Sequence, residues 1–367
     1  MKDIKSGKLL KFFLPGKKKL FSIGTFAHDF EKGKSLIHLF DYKSSISDFT
    51  PIKLLFAVGD DHCFTFVEST IEEFYAGSES NVKLKPKYTL IGNNNLSENA
   101  MRFNKISSKL TNLNEWFVDG GQPFKITKLK EFLETENAVR NLLTGSIRGI
   151  GKYTIHTADI ISEENHKLSF YFNAVLTITF SKGISLEAAL DIHDNFLAIL
   201  SSLTTRLVHS ESFHIQTVRK KESYELLKPF YSLETEEQIK NYYCSFHGIK
   251  DDLETIVNNW FNLRADLQPV YNSFIETLKN QKDSGAIEFQ VLNVLFALEN
   301  LHRRLHDYNC IEKKEFKKQL KVASKSVTDE KFRKMLQASM SFANHPSFRE
   351  RLRFLLDRLP DSISSRI

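Results

Sequence analysis

The hydrophobic pattern changes character about two thirds of the way along the chain. Up to about residue 248, short runs of aromatic and β-branched residues alternate with turn residues, which is typical of β-strands. Fourteen of the 15 glycines lie at or before Gly248. Beyond it, apolar residues recur at intervals of three and four, which predicts helices. The sequence therefore predicts an α+β protein with two domains: a β-rich domain with inserted helices over 1–248 and an all-α helical bundle over 249–367.

Several segments of the first domain carry clear strand signals. The apolar runs at 54–58 and 63–67 flank a turn that begins at Gly59, and together they predict a hairpin. The run at 88–91 ends at a Gly-Asn turn. The long run LSFYFNAVLTITF at 168–180 is rich in aromatic and β-branched residues and predicts a further strand.

Two helices are predicted to interrupt this sheet. One covers 97–118, with Ser97 as its N-cap, and the other covers 185–206, with Ser185 as its N-cap. In the second helix Glu187 lies in the first turn, where the helix dipole favours an anion.

The second domain is predicted to consist of helices joined by short links. Pro269 is expected to bend or break the first of them. The helices are predicted over 251–278, 286–307, 313–324, 329–343 and 346–359. The second helix has a repeat of three and four that predicts a bundle seam, formed by Val291, Val294, Leu298, Leu301, Leu305 and Tyr308.

Charge is concentrated at the C-terminal end. The net charge is +6, yet residues 301–367 alone hold 16 Lys/Arg against 8 Asp/Glu. A basic block of this kind indicates either contact with nucleic acid or a solvated helix surface with surplus lysine. The charge pattern leaves both interpretations open.

Other classes of site receive no support from the sequence. No apolar run approaches the roughly 20 residues of a membrane span, so no membrane partner is expected. No nucleotide-binding or zinc-hydrolase motif occurs, so we expect no cofactor and no metal. The three cysteines are far apart and odd in number, which favours a cytoplasmic location.

Four polar residues on the seam helix are the candidate site. Glu299, His302, Arg303 and His306 are spaced by three, four and seven residues, which puts them on one helix face. They could form an acid/base cluster that acts on RNA, or simply an intrahelical Glu299–Arg303 pair at the rim of the bundle. A metal site is disfavoured because the charge of Arg303 opposes a cation.

The glycine-rich segment RGIGKYT at 148–154 allows two interpretations. It is similar to the turn of a helix-hairpin-helix DNA-binding module, whose backbone amides hold a phosphate. However, the residues that follow are β-branched, so a glycine turn between two elements is the simpler prediction.

Eight short pieces follow one another along nearly the whole chain. They are FFLPG at 12–16, Gly24-Thr25, the hairpin at Gly59, LIG at 90–92, LNEW at 113–116, IKDD at 249–252, NWF at 259–261 and FALENLHRR at 296–304. The order of these pieces resembles that of the ApeA-like family of bacterial anti-phage proteins, which join a β-rich N-terminal domain to a helical HEPN domain.

This resemblance implies a metal-independent ribonuclease that acts in abortive infection. Such HEPN proteins carry an Arg followed by a His after four to six residues, often with two copies meeting in a dimer. The His would act as general acid/base and the Arg would stabilise the charged transition state. Glu299 occupies the position of the family residue that lies near this site.

The sequence departs from the family at that motif. No Arg is followed by a His at the required distance, and Arg148–His156 and Arg206–His214 are each one residue too long. In the family the motif follows a segment like 352–360, and this sequence ends at Ile367. We therefore expect the last HEPN helix to be missing and an apolar stripe to be exposed. Cleavage would then need a helix from a second polypeptide.

The leading hypothesis is a phage-defence protein with an incomplete HEPN domain, whose N-terminal domain senses or binds a trigger. A homo-oligomer or a second polypeptide would complete the site, and RNA is a possible partner. One alternative is a non-catalytic module that binds RNA or protein through its basic helical end. Another is a β-sandwich that binds a ligand on a helical scaffold.

Overall fold

The computed structural model describes residues 8–358 with internal gaps, and it divides the chain into two compact units. The β unit comprises Met1–Phe261 and the helical unit comprises Asn262–Ile367. The residues outside the described part are 1–7, 18, 31–32, 41–50, 76–80, 112, 114–115, 118–139, 165–166, 220, 229–243, 280–286, 307–308, 341–342 and 359–367.

The described strands of the β unit form one antiparallel sheet. Their order is β3-β2-β1-β4-β5-β6-β12-β11-β7-β10-β9-β8, and β3 also pairs with β6, so the first six strands close into a ring. The strands are β1 (Leu9–Phe13), β2 (Ser22–Asp29), β3 (Lys34–Phe40), β4 (Ile52–Val58), β5 (Cys63–Tyr75), β6 (Asn81–Gly92), β7 (Phe103–Leu110), β8 (Arg140–Ile147), β9 (Gly151–Glu164), β10 (Lys167–Ile184), β11 (Ser210–Thr217) and β12 (Ser223–Leu227).

The sequence predictions for several strands are confirmed. The hairpin of β4 and β5 closes with the amide of Gly59 donating to the carbonyl of His62 at 3.0 Å. The run at 168–180 lies within β10, which pairs with β9 and β7. The segment RGIGKYT forms the turn between β8 and β9, where Gly149 has a φ of 75°. Strands on both sides of this turn favour the simple glycine turn over a helix-hairpin-helix module.

Aromatic side chains fill the strand ring. Phe12 and Phe66 are fully buried, and Phe26 packs against Phe66 with ring centroids 5.2 Å apart. Along β5, the residues that face this core are first at even positions, such as Phe66, and then at an odd position, that of Ile71. Between them Glu68 adopts a left-handed backbone with a φ of 51°, which is unusual for a residue with a side chain.

A second hydrophobic core lies under the helix α1 (Leu186–Thr204), which packs on β7 and β10. The predicted helix and its cap are confirmed, because the hydroxyl of Ser185 accepts a hydrogen bond from the amide of Ala188 at 3.2 Å. Leu190, Phe196 and Leu200 are among its buried residues, so one apolar face of α1 closes this side of the sheet.

The predicted helix over 97–118 is wrong. Ser97 makes no side-chain cap and precedes only a single 3₁₀ turn, Glu98–Ala100. Residues 103–110 instead form β7, which pairs with β10 on one edge and β11 on the other. Pairing on both edges, with Phe103 and Ile106 fully buried, outweighs the local helical spacing. Part of the predicted range, including Val118, lies outside the described residues.

The two units divide thirteen residues further along than the predicted boundary. The short helix α2 (Phe246–Ile249) and the start of α3 (Leu253–Lys279) belong to the β unit. Leu253 and Val257 are fully buried in its core, which ties this segment to the sheet. The helix α3 is continuous through Pro269, so of the predicted bend or break there, a break does not occur.

The described part of the helical unit contains the end of α3 and four further helices. They are α4 (Ile287–Leu305), α5 (Lys313–Lys325), α6 (Glu330–Met340) and α7 (Phe348–Leu356). Three of the four lie inside a predicted range, and α5 extends one residue past the predicted end at residue 324. The helix α4 packs against α7, and α5 packs against α6. Within the described ranges, no helix combines the length and apolar composition needed to cross a membrane.

The predicted seam of α4 is wrong. Val291, Val294 and Leu305 are exposed, whereas Ala297 and His302 are buried. The reason is that α4 packs on α7 through the face that carries Glu299 and His302, which is not the most apolar face. Tyr308, the last predicted seam residue, lies outside the described part of the chain.

Candidate functional site

Local sequence signals fix the ends of the two helices that carry the candidate site. The helix α7 begins with a capping box: the amide of Glu350 donates to the hydroxyl of Ser347 at 3.3 Å, and the carboxylate of Glu350 accepts from the amide of Ser347 at 2.7 Å. The last turn of α4 holds His302, Arg303 and Arg304, where the helix dipole favours cations. Local sequence signals therefore define where α7 begins and where α4 ends.

Glu299 connects the two helices through arginine. Its Oε1 atom lies 2.8 Å from Nη2 of Arg303, one turn away on α4, and 3.4 Å from Nη1 of Arg351 on α7. Nε of Arg351 also donates to the carbonyl of Pro346 at 2.9 Å. The Arg351 side chain is 6% exposed and that of Arg303 is 60% exposed. The predicted intrahelical pair thus exists, and a buried arginine extends it across to α7.

The two histidines pack against an aromatic ring of α7. The ring of Phe354 lies edge-on to His302 and to His306, with centroids 5.0 Å and 4.7 Å apart. The guanidinium carbon of Arg358 lies 3.6 Å from the centroid of Phe354, a close cation–π stack. Nη1 of Arg358 is 3.4 Å from Nε2 of His306, and because arginine only donates, this nitrogen accepts.

Seven residues thus form one α4–α7 cluster: Glu299, His302, Arg303, His306, Arg351, Phe354 and Arg358. The structure brings together all four residues predicted from the sequence. Sequence reasoning missed Arg351, Phe354 and Arg358, because they lie about 50 residues further along the chain. Only the basic composition of 301–367 hinted at them.

Burial and neighbouring positive charge shape the electrostatics of the cluster. Burial lowers the pKa of His302, and His306, Arg351 and Arg358 lower it further. Burial and the nearby Arg303 also lower the pKa of Arg351, while Glu299 opposes this shift. The histidine at the centre is therefore held in its neutral form.

The cluster has a positive excess that is open to solvent on one side. It holds three guanidinium groups and one carboxylate, that of Glu299, which Arg303 and Arg351 share. Arg358 stacks on Phe354 instead, and Arg303 and Arg358 are exposed. Guanidinium groups bind phosphate and carboxylate oxygens in a planar, two-pronged geometry. The arrangement is suited to an anionic ligand, and no group of three or more potential metal ligands occurs in the described ranges of the chain.

An antiparallel β unit followed by a helical unit with a polar interhelical cluster defines a two-part α+β protein. Residues 11–260 match the family model described as ApeA N-terminal domain 1, and residues 292–367 match Apea-like HEPN. The first match spans more than half of the chain, so the chain belongs to the ApeA family. It is an anti-phage defence protein that carries a HEPN-type module. Searches of curated proteins and of solved structures found no match.

Proposed function

We propose that this protein binds RNA through the α4–α7 cluster and acts in an abortive-infection response to phage. The observation that carries the proposal is that three guanidinium groups, those of Arg303, Arg351 and Arg358, lie in one cluster that holds a single carboxylate, that of Glu299. RNA supplies the phosphate anions that such a cluster attracts. The free cysteines Cys63, Cys244 and Cys310 support a cytoplasmic site of action.

We further propose that residues 1–367 do not cut RNA by themselves. HEPN cleavage uses an Arg and a His four to six residues apart, and this pair is absent from the sequence. His302 is 2% exposed and held neutral, which makes it a poor general acid. In this proposal a second polypeptide, or a second copy of the chain, completes a nuclease site beside the exposed arginines.

The test is RNA binding by the whole chain, measured by fluorescence anisotropy with a labelled single strand. Replacing the two exposed arginines, Arg303→Gln with Arg358→Gln, is expected to weaken binding about tenfold because two phosphate contacts are lost. The matched control Lys182→Gln with Arg219→Gln removes the same charge from exposed positions of the β unit and should leave binding unchanged.

The same samples, run on a denaturing gel, test the second part of the proposal. The labelled RNA is expected to stay intact. If the purified chain degrades RNA, and this activity is lost in His302→Ala or His306→Ala, the view that the site is incomplete is wrong.

A second candidate function is a non-catalytic module that binds a protein partner. It is favoured by apolar side chains on the surface of α5 and α6, where Val322, Phe332 and Met335 are 65%, 51% and 57% exposed. Undiminished RNA binding in the Arg303→Gln/Arg358→Gln variant would favour this candidate over the first.

A further inference from the structure

An open groove of about 740 Å³ lies on the surface of the β unit, where β4, β5 and β6 run side by side. Lys53 of β4 and Lys85 and Lys87 of β6 line it, with Glu68 and Thr70 of β5 between them. This volume falls in the range of about 300–1,000 Å³ that is typical of small-ligand sites. We call this feature the lysine groove.

The lysine groove has more positive charge than its carboxylates neutralise. Lys87 pairs with Glu68 at 2.7 Å, and Lys53 pairs with Glu98, which lies outside the groove. Lys85 forms no ion pair with any residue of the described ranges. The ammonium groups of Lys53 and Lys87 are thus already paired, and the excess positive charge of the groove is that of Lys85, which favours an anionic ligand.

The fold itself builds this concentration of charge. Lys85 and Lys87 are two residues apart on β6, so both side chains lie on the same face of the strand. On β5, Thr70 stands opposite Lys85, while Glu68 pairs with Lys87 and has a left-handed backbone conformation. A side chain in this conformation is strained, and such strain tends to persist where function requires it.

We propose that the lysine groove binds a small ligand with a chain of phosphate groups, either a nucleoside triphosphate or an inorganic polyphosphate. Lysine ammonium groups bind phosphate as mobile point charges, and the groove presents three of them to such a ligand. In the absence of ligand, the Glu68 carboxylate holds Lys87 in place. The proposal concerns the β unit alone and is independent of RNA binding by the α4–α7 cluster.

The test is isothermal titration calorimetry on the whole chain with tripolyphosphate and, separately, with ATP. We expect binding with a Kd below about 1 mM. Lys85→Gln with Lys87→Gln should weaken it at least about tenfold, and Glu68→Gln should tighten it about threefold because a repelling charge is removed. Tighter binding of ATP than of tripolyphosphate would identify the nucleotide as the ligand, and equal binding would identify the phosphate chain.

The matched control is Lys83→Gln. Lys83 lies on the same strand, is paired with Glu73 at 2.6 Å and does not line the groove, so its replacement should leave the Kd unchanged. The Arg303→Gln/Arg358→Gln variant should also bind both probes normally, which separates this site from the α4–α7 cluster.

Three results would overturn the proposal. One is the absence of measurable binding of either probe. Another is binding that survives Lys85→Gln/Lys87→Gln, provided that circular dichroism confirms a folded chain. The third is equally tight binding of a hexaglutamate peptide, which would make the groove a site for acidic protein segments.

Discussion

Each unit of the protein buries a histidine at its centre, and the two histidines have opposite surroundings. In the β unit, Nε2 of His193 is 2.7 Å from the hydroxyl of Ser108, and Nδ1 is 3.1 Å from the carboxylate of Asp194. In the helical unit, His302 packs between His306 and Phe354, and arginines lie nearby. Burial is the largest cause of the lowered pKa in both cases.

The two histidines differ in how neighbouring charged groups affect the pKa. Asp194 opposes the shift at His193, and Lys228 neutralises Asp194 at 2.8 Å, so the polar network of the β unit is closed. At His302 the neighbours His306, Arg351 and Arg358 all add to the shift. The first arrangement stabilises a fold, whereas the second leaves positive charge that a ligand can neutralise.

The largest predicted effect contrasts the cores of the two units. Phe196→Ala in α1 removes a fully buried ring and should lower the free energy of unfolding of the β unit by about 3–5 kcal/mol. Phe332→Ala in α6 removes a ring that is 51% exposed and should change stability by no more than about 0.5 kcal/mol. Hydrogen exchange by mass spectrometry resolves peptides from each unit and measures both. Similar losses in the two variants would show that the exposed face of α6 is covered.

The next effect concerns the buried arginine of α7. Arg351→Met leaves Glu299 with one arginine partner among the described residues, Arg303, and removes the bond to Pro346. It should therefore destabilise the helical unit by about 2 kcal/mol. Arg349→Met, on the exposed face of the same helix, is the control and should change stability by less than about 0.5 kcal/mol. Equal effects of the two substitutions, measured by urea denaturation, would mean that α4 and α7 do not depend on this contact.

The smallest of these effects is a pH dependence in the β unit. The pKa of His193 is lower in the folded state than its usual value of 6.5, so the unfolded state binds more protons. Stability is therefore complete above about pH 6.5 and is lost as the pH falls below that value. The His193→Gln variant lacks this titrating group. Between about pH 7.5 and about pH 5.5, the stability of the variant should therefore fall less than that of the wild-type protein. If the free energy of unfolding has the same pH dependence in the variant and in the wild-type protein, His193 is not the group responsible.

Much of the fold follows from local signals in the sequence. Ser185 before α1, the Gly59 turn and the glycines at 149 and 151 act within a few residues, so their structures could be predicted. The segment 103–110 could not, because its strand partners β10 and β11 lie about 70 and 100 residues further along the chain. Local spacing is a poor guide where long-range pairing decides the structure.

In the candidate site too, the features set by local spacing could be predicted and those set by long-range packing could not. The face of α4 with Glu299, His302, Arg303 and His306 could be predicted because helical spacing alone aligns it. The arginines of α7 could not, because nothing in the sequence indicates which helix packs on that face. The most apolar stripe of α4 predicted that a different face of this helix packs against the other helices. On that stripe Val291, Val294 and Leu305 are exposed instead.

The most direct test of the central claim is the salt dependence of RNA binding. If Arg303 and Arg358 each contact a phosphate, the slope of log Kd against log salt concentration should decrease by about 1.4 in the Arg303→Gln/Arg358→Gln variant, at about 0.7 per contact on a single strand. The Lys182→Gln/Arg219→Gln control should keep the wild-type slope. An unchanged slope in the arginine variant would show that RNA, if bound at all, does not contact the α4–α7 cluster.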